Sequence, residues 1–424
     1  ASDVYMSHVI GDFAMSVSND LYPNASHPLE RKDSGVPYVR QGLHVESYND
    51  FDPLRHVIVG IADNQHIPEA CPASNEKIPA DSPMRGSKAG RRTQESIDRA
   101  NECLNGFAKI LETRGITVDR PGAVDWNERI TTPDFSISSG FGVMPPRDCL
   151  LTMGKSILMA PMSFRSRYFE YLAYVDLLRE YFESDNQCMI EQAPRPRLSD
   201  DSFRMDYVAA YEYLSDEETM ERSLRKEYST KETDILFDAA DVMRLGKDIF
   251  VQHGLTTNLA GIRWIKRKYE AQGYRVHTLS FEDNHPIHID ATFCPLRPGL
   301  MLLNPNRPLF KGQREIFEKN DWEIVEAVSP AWDNPPPLCY SSTWLSMNTL
   351  ILDHKTVCVE ASEKGQMEQF DKLGFDVIPV DLRDAYAFGG GLHCATADVW
   401  REGTCEDYFA NQFTGAHSIE HWEY

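Results

Sequence analysis

The chain has 424 residues, with 43 Lys and Arg against 65 Asp and Glu and a formal net charge of −22 with histidines neutral. That balance excludes a non-specific nucleic-acid binder and a protein held to an anionic membrane surface, both of which need a basic face. Apolar residues at 42% and charged residues at 25% suit a globular protein with a large core, and no apolar run approaches the ~18 residues of a transmembrane helix.

In chain order, residues 1–45 show little periodicity and are expected to form an extension, with a single domain over 46–424. A strand opens that domain at His56–Ile61. The stretch Ala62–Thr93 holds Pro68, Pro72, Pro79 and Pro83 with polar filler; a loop that long is either functional or disordered. A helix follows over Ser96–Arg114, closed by Gly115, then a strand from Ile116 to Pro121. The second unit reads as a hairpin over Cys149–Pro161 turning at Gly154-Lys155, a helix over Ser166–Ser184 and a strand at Cys188–Ile190. Arg195–Thr233 is a charged, part-helical insertion. The third unit is a hairpin over Asp241–His253, a helix over Asn258–Gln272 and a strand over Tyr274–Leu279. The fourth runs through a hairpin at Ala291–Pro305, a helix at Gln313–Lys319 and a strand at Trp322–Ala327. The fifth runs through a hairpin at Asn348–Ala361, a helix at Lys364–Leu373 and a strand at Phe375–Val380. Glycine just past a helix, turn residues between apolar runs and period-two apolarity carry these assignments. One such unit cannot bury both faces of its strands, so five imply a closed, pseudosymmetric ring. The tail after Asp407 has no pattern.

Nine cysteines lie scattered and none forms a C-x-x-C pair, which excludes a zinc ribbon and a thioredoxin-type motif. The first 29 residues contain Asp3, Asp12 and Asp20 but no Lys or Arg, so no secretory or transit segment is expected. A reduced, cytoplasmic protein is the resulting expectation.

Familiar motifs are absent. Gly154-Lys155-Ser156 has Cys149 where a phosphate loop needs glycine, and neither G-x-S-x-G nor G-x-G-x-x-G occurs. His285-Pro-Ile-His288-Ile-Asp290 looks like a metal cluster, but on a strand positions i and i+3 face opposite sides, so no metal is expected there. His288 and Asp290 would share a face. More pointed is Gly389-Gly-Gly-Leu-His-Cys394, where three glycines let a ligand approach a thiol closely. Asp148 and Asp238 stand near the starts of repeat hairpins, His288 just before one, and Cys394 in the last hairpin position. In a closed ring such ends converge on the axis. A thiol, an imidazole and several carboxylates together suit a planar cationic substrate. Carboxylates grip a guanidinium, a thiolate attacks its central carbon, and a histidine oriented by an aspartate protonates the departing amine.

At these residues the sequence resembles the amidinotransferase family. The resemblance runs from Ser47-Tyr-Asn-Asp-Phe-Asp-Pro-Leu54 and Val57-Ile-Val-Gly60 through Asp125-Trp126, Thr132-Pro-Asp-Phe135 and Arg165-Ser-Arg-Tyr-Phe-Glu-Tyr171. It continues through Phe237-Asp-Ala-Ala-Asp241, His288-Ile-Asp-Ala-Thr-Phe293, Asn304-Pro-Asn-Arg307 and Ser341-Ser-Thr-Trp-Leu-Ser-Met-Asn348 to Gly391-Leu-His-Cys-Ala-Thr396. It implies an α/β fold, a five-bladed pseudosymmetric propeller of ββαβ units, in agreement with the repeat. It further implies Cys394 as the nucleophile carrying an amidino group, His288 as general acid and base, and Asp238 as its paired carboxylate. Asp148 and Asp290 would grip the guanidinium of an arginine donor, and Arg307, Ser341 and Ser342 its amino-acid end. No metal or organic cofactor is implied; a homodimer is an expectation.

Before His288, glycine amidinotransferases resemble Asn-Pro-Met where this chain has His285-Pro286-Ile287. In the family these side chains border the acceptor pocket, so the resemblance leaves the amine acceptor open among lysine, glycine and a biosynthetic intermediate. Two other readings stand beside transfer: hydrolysis to citrulline by a deiminase or dihydrolase, and a non-catalytic binding protein on the same scaffold.

Overall fold

The computed structural model describes residues 39–78, 84, 87–211 and 213–411. Within them the expected repeat appears as five three-stranded sheets. The second blade is Leu150–Met153, Ser156–Met159 and Met189–Gln192; the third is Val242–Leu245, Asp248–Gln252 and Arg275–Leu279. The fourth is Phe293–Arg297, Leu300–Leu303 and Glu323–Glu326; the fifth is Leu350–Asp353, Thr356–Glu360 and Asp376–Val380. In each, the central strand pairs antiparallel with the first and parallel with the third. The parallel partner is reached through a helix, which makes every blade a ββαβ unit.

The first blade differs. Leu54–Val59 pairs parallel with Thr117–Asp119, as expected, but its antiparallel partner is Thr396–Arg401 from the far end of the chain. That pairing joins first and last strands and closes the five-bladed α/β propeller. Sequence periodicity names no partner for an opening strand, because the partner lies more than 330 residues away (396 against 59).

Burial explains the local patterns. The strands Leu150–Met153, Val242–Leu245 and Leu300–Leu303 are buried along their whole length, whereas Met189–Gln192 and Glu323–Glu326 are exposed at both ends. Helix Gln94–Thr113 buries Ile97, Ala100, Leu104, Phe107, Ala108 and Leu111, spaced as one helical face, and the Thr93 side chain caps it by accepting from Ser96 N–H.

Some expected elements are shorter. Only Val175–Ser184 of the Ser166–Ser184 segment is α-helical; Arg165–Arg167 and Glu170–Tyr174 form 3-10 turns. These turns aim Arg167 and Glu170 at each other in the interior as a buried ion pair. The fourth blade's helix is a single turn, Glu315–Glu318. The strand expected around His288 is absent: His288 has φ 52° and Ile289–Ala291 is a 3-10 turn, so the argument from strand faces does not apply.

The irregular segments fold onto the propeller. In the long proline-bearing loop, His66–Ile67 pairs with Gly90–Arg91, and Asn75–Lys77 forms a turn. The charged insertion carries helices Met205–Tyr211 and Asp216–Leu224, the latter with a Ser215/Glu218 capping box. Of the 1–45 segment, the described part includes a buried Val45 and an Arg40 paired with Asp119 and Glu180; residues 1–38 lie outside the described ones. In the tail, Phe409 is buried and stacks on Trp322 at 5.3 Å, and residues 412–424 lie outside the described ones.

Charges meet in the interior. Asp398, on the closing strand, accepts from Arg147 at 2.8 Å, Arg244 at 2.7 Å and Arg401 at 2.7 Å, and Arg244 also pairs with Asp50. Burial opposes the Asp398 charge, but three guanidiniums outweigh it and hold the carboxyl well below its ordinary range. The cluster ties the closing strand to the second and third blades.

Candidate active site

Each blade presents one short turn immediately before its first strand, and those turns carry the chemistry. Asp148 sits in the single turn Pro146–Cys149 and Asp238 caps Ala239–Asp241. His288 and Asp290 belong to the turn around Ile289–Ala291, Asn348 follows Thr343–Met347, and Cys394 precedes Thr396–Arg401. Pseudosymmetry brings equivalent turns together.

Cys394 is buried and its Sγ lies 3.3 Å from Asp290 Oδ2 and 3.3 Å from Asn348 Nδ2. His288 Nε2 meets Asp238 Oδ2 at 2.8 Å. His288 Nδ1 stands 3.6 Å from Asp148 Oδ1, and Arg167 Nη1 donates to Asp148 Oδ2 at 2.9 Å. Asp290 Oδ2 also bonds His393 Nδ1 at 2.7 Å. One oxygen on each of Asp148, Asp238 and Asp290 is buried without a hydrogen-bond partner in the protein. Buried carboxylate oxygens normally find donors. Three orphaned acceptors, one of them on the carboxylate that touches the thiol, suit a planar cation with several N–H donors.

Burial and the Asp290 and Asp148 charges push the Cys394 thiol well above its ordinary value, so the resting group is a thiol. Burial would lower His288, but Asp148, Asp238 and Asp241 outweigh it and raise the imidazole to about 9, a proton donor at neutral pH. Burial raises the Asp148 carboxyl despite His288 and Arg167. Asp290 moves the other way: burial opposes its charge, yet the His393 hydrogen bond holds it at about 2.

Arg307 lies in the same region. It pairs with Asp283 at 3.1 Å and donates to Thr292 Oγ1 at 3.0 Å and Ser342 Oγ at 3.2 Å. Ser342 also caps the turn Thr343–Met347, and Ser341 beside it is half-buried.

A cavity of about 170 Å³ adjoins Arg167 and is lined also by Ser166, Phe141, Phe164 and Tyr340, together with Lys77 and neighbouring side chains of the long loop. His285 and Ile287 are not among its lining residues. His285 Nδ1 is 3.4 Å from the Tyr211 hydroxyl, and Ile287 packs against the apolar cluster that includes Phe164. Among the described residues, no group of three or more His, Cys, Asp or Glu side chains could hold a metal ion.

Asn348, Arg167, His393 and Lys77 were not assigned roles from sequence. Arg167 and Asn348 sit inside the motifs that carry the resemblance, and His393 adjoins Cys394, so those signals were within reach. Lys77, in an aperiodic loop, left none.

No protein-family model matches the chain. It is 40% identical over 376 residues to "Glycine amidinotransferase, mitochondrial" of Xenopus tropicalis, covering 87% of this chain and 86% of the relative. It is 37% identical to "L-arginine:L-lysine amidinotransferase" of Pseudomonas savastanoi pv. phaseolicola, covering 85% and 96%. Among solved structures it resembles an amidinotransferase of the saxitoxin pathway from Microseira wollei, with TM-score 0.77 and 34% identity over 86% of this chain and 99% of the other. The inosamine-phosphate amidinotransferase of Streptomyces griseus follows at TM-score 0.74 and 32% identity, with the same coverage. A dimethylarginine dimethylaminohydrolase (DDAH) from Pseudomonas aeruginosa, 14% identical with TM-score 0.51, shares the fold alone. Sequence identity through nearly the whole propeller, and a thiol, imidazole and carboxylate set where its blade turns converge, lead to one conclusion: the chain belongs to the amidinotransferase family.

Proposed function

We propose that the protein moves the amidino group of L-arginine to an amine acceptor in two half-reactions through Cys394. Asp148 and Asp290 grip the guanidinium with their unpartnered oxygens, and Arg307, Ser341 and Ser342 hold the amino-acid end. The Cys394 sulfur attacks the guanidinium carbon. As that C–S bond forms, the C–N bond to the side-chain nitrogen breaks, and the thiol proton ends on the departing amine by way of His288. Ornithine leaves and a cationic amidino-cysteine remains. In the second half, the acceptor nitrogen attacks the same carbon, the C–S bond breaks, and the proton that nitrogen loses returns to the sulfur by way of His288. Asp238 holds the imidazole and favours its charged form.

The observation carrying this reading is a thiol that touches Asp290, in a centre where Asp148, Asp238 and Asp290 each keep one buried oxygen without a partner in the protein. Intact mass after mixing enzyme with arginine alone tests it. The expected result is one amidino group on Cys394 and one equivalent of ornithine. Citrulline formed without an acceptor would replace transfer by hydrolysis, and neither adduct nor ornithine would refute the mechanism.

The acceptor is an amino acid or a natural-product amine, with His285 and Ile287 shaping its pocket. No cofactor takes part. Nine free cysteines suit a reducing, cytoplasmic setting. Exposed Leu172, Val175, Phe182 and Met189, on and beside one helix, are the candidate face of a homodimer, which sedimentation tests.

A further inference from the structure

The three carboxylates of the centre share a pattern. Each gives its Oδ2 to a protein donor and keeps a buried Oδ1 without a partner in the protein. Arg167 donates to Asp148 at 2.9 Å, His288 to Asp238 at 2.8 Å and His393 to Asp290 at 2.7 Å. The reaction above uses His288 to move protons and leaves His393 without a part.

That histidine is held on every side. Burial opposes the Asp290 charge, but the His393 hydrogen bond and charge overcome it, and the carboxyl stays ionised at about 2. An ionised carboxylate only accepts, so the hydrogen between them sits on His393 Nδ1. The other ring nitrogen, Nε2, stands 3.6 Å from Asp50 Oδ1. Asp50 is paired with Arg244 and, at 3.4 Å, with Arg147. Arg147 Nε in turn donates to the His393 carbonyl at 2.9 Å. Ring and backbone of His393 are therefore both tied to the charge cluster around Asp398. His393, Asp290 and Asp50 also face one cavity of about 40 Å³, whose other walls come from the first strands of the second to fifth blades and from Asp398. The histidine stands where the axis of the ring meets the reacting centre.

Asp290 Oδ2 accepts from two donors, the imidazole and the Cys394 thiol at 3.3 Å. When the sulfur attacks, the thiol proton leaves for the departing amine, and the imidazole becomes the remaining donor. Without it, Oδ2 would lie buried beside a sulfur that gains negative charge, and the carboxylate would turn or take up a proton. Either change removes Oδ1 from the guanidinium. We propose that His393 is a positioning residue: anchored by Asp50, it holds Asp290 Oδ2 from behind so that Oδ1 meets the guanidinium of arginine. This rests on the transfer reading, in which Asp290 grips the donor, and adds the residue that sets the grip.

The test reads arginine binding by calorimetry in the full chain carrying Cys394→Ser, which keeps a donor beside Asp290 and removes the thiol nucleophile. On that background His393→Phe keeps a ring without its nitrogens. It should weaken arginine by about tenfold or more, the scale of one hydrogen bond to a charged group. His393→Asn, whose amide can donate from the place of Nδ1, should stay within about threefold of the parent. With Asp290→Asn added, His393→Phe should change the affinity by less than about twofold, because the two residues act as one unit. A packing role would weaken arginine equally with and without Asp290→Asn, and that additivity would overturn the inference. So would an affinity unmoved by His393→Phe, or His393→Asn no better than His393→Phe. Should His393→Phe fail to fold, His393→Leu takes its place in the same cycle. Ornithine released by the wild type with arginine present and no acceptor is the parallel readout. No ornithine would bring down the transfer reading and this inference together, whereas one equivalent of ornithine with additive affinities would overturn this inference only.

Discussion

Asn348 holds Cys394 at two points, accepting its backbone N–H at 3.0 Å through Oδ1 and donating to its sulfur at 3.3 Å through Nδ2. The two residues come from different blade turns, so the contact exists only because the ring closes. The amide donor eases thiol ionisation against burial and the Asp290 and Asp148 charges. Asn348→Ala should slow ornithine release roughly 10²-fold, the usual cost of losing one donor to a developing charge. It should also move the pH profile of Cys394 alkylation upward, and an unmoved profile would assign Asn348 to packing alone.

The glycines before the nucleophile set its position by leaving space. A Cβ at Gly390, which has φ 147°, would sit 2.5 Å from the Cys394 sulfur. Gly390→Ala should therefore abolish amidino-adduct formation while leaving thermal stability within about 3 kcal/mol of wild type, the range of ordinary single substitutions. Intact mass and a melting curve report the two effects separately.

Asp238→Asn tests the partnership with His288. The Asp238 hydrogen bond and charge both raise the imidazole towards its value of about 9. The protonated donor is present below that value and lost as pH rises through it. Removing the Asp238 charge lowers the value, so the alkaline limb of ornithine release should shift to lower pH. The loss should fall on kcat far more than on KM for arginine. A loss confined to KM would move Asp238 to the substrate grip.

The buried cluster around Asp398 predicts stability rather than rate. Arg244→Met would remove the partner shared by Asp50 and Asp398 and leave buried charge poorly compensated, at a cost of about 3–5 kcal/mol in urea unfolding. Both carboxyls are held below their ordinary range, opposed by burial but overcome by the surrounding cations. Such groups contribute stability that is present above the unfolded value near 4 and is lost as pH falls through the folded ones. Acid unfolding of wild type should therefore begin well below pH 4 at this cluster, and in Arg244→Met at a higher pH.

The sequence by itself determined the blade rhythm, because each ββαβ unit is local: a turn glycine, an apolar alternation and a capped helix lie within about 40 residues of one another, within reach of pattern reading. It also named Cys394, His288, Asp238, Asp148 and Asp290, since their motifs stand at the same point of successive units. Closure was a different matter. That Thr396–Arg401 completes the blade of Leu54–Val59 is a long-range pairing with no periodic trace. The turn at His288, with its positive φ, was misread as strand because apolar alternation cannot report a backbone held by its surroundings. Arg167 and Glu170 fall in a segment expected to be one helix, and the 3-10 turns found there bury them as an ion pair. Lys77 had no sequence signal at all; only a Ser229 and Tyr211 clamp on Glu76, from a segment some 150 residues onward, decides that this lysine meets the cavity lined by Arg167. Residue chemistry is written locally, but which charges share one desolvated space depends on contacts between distant turns, and those form only when the ring is closed.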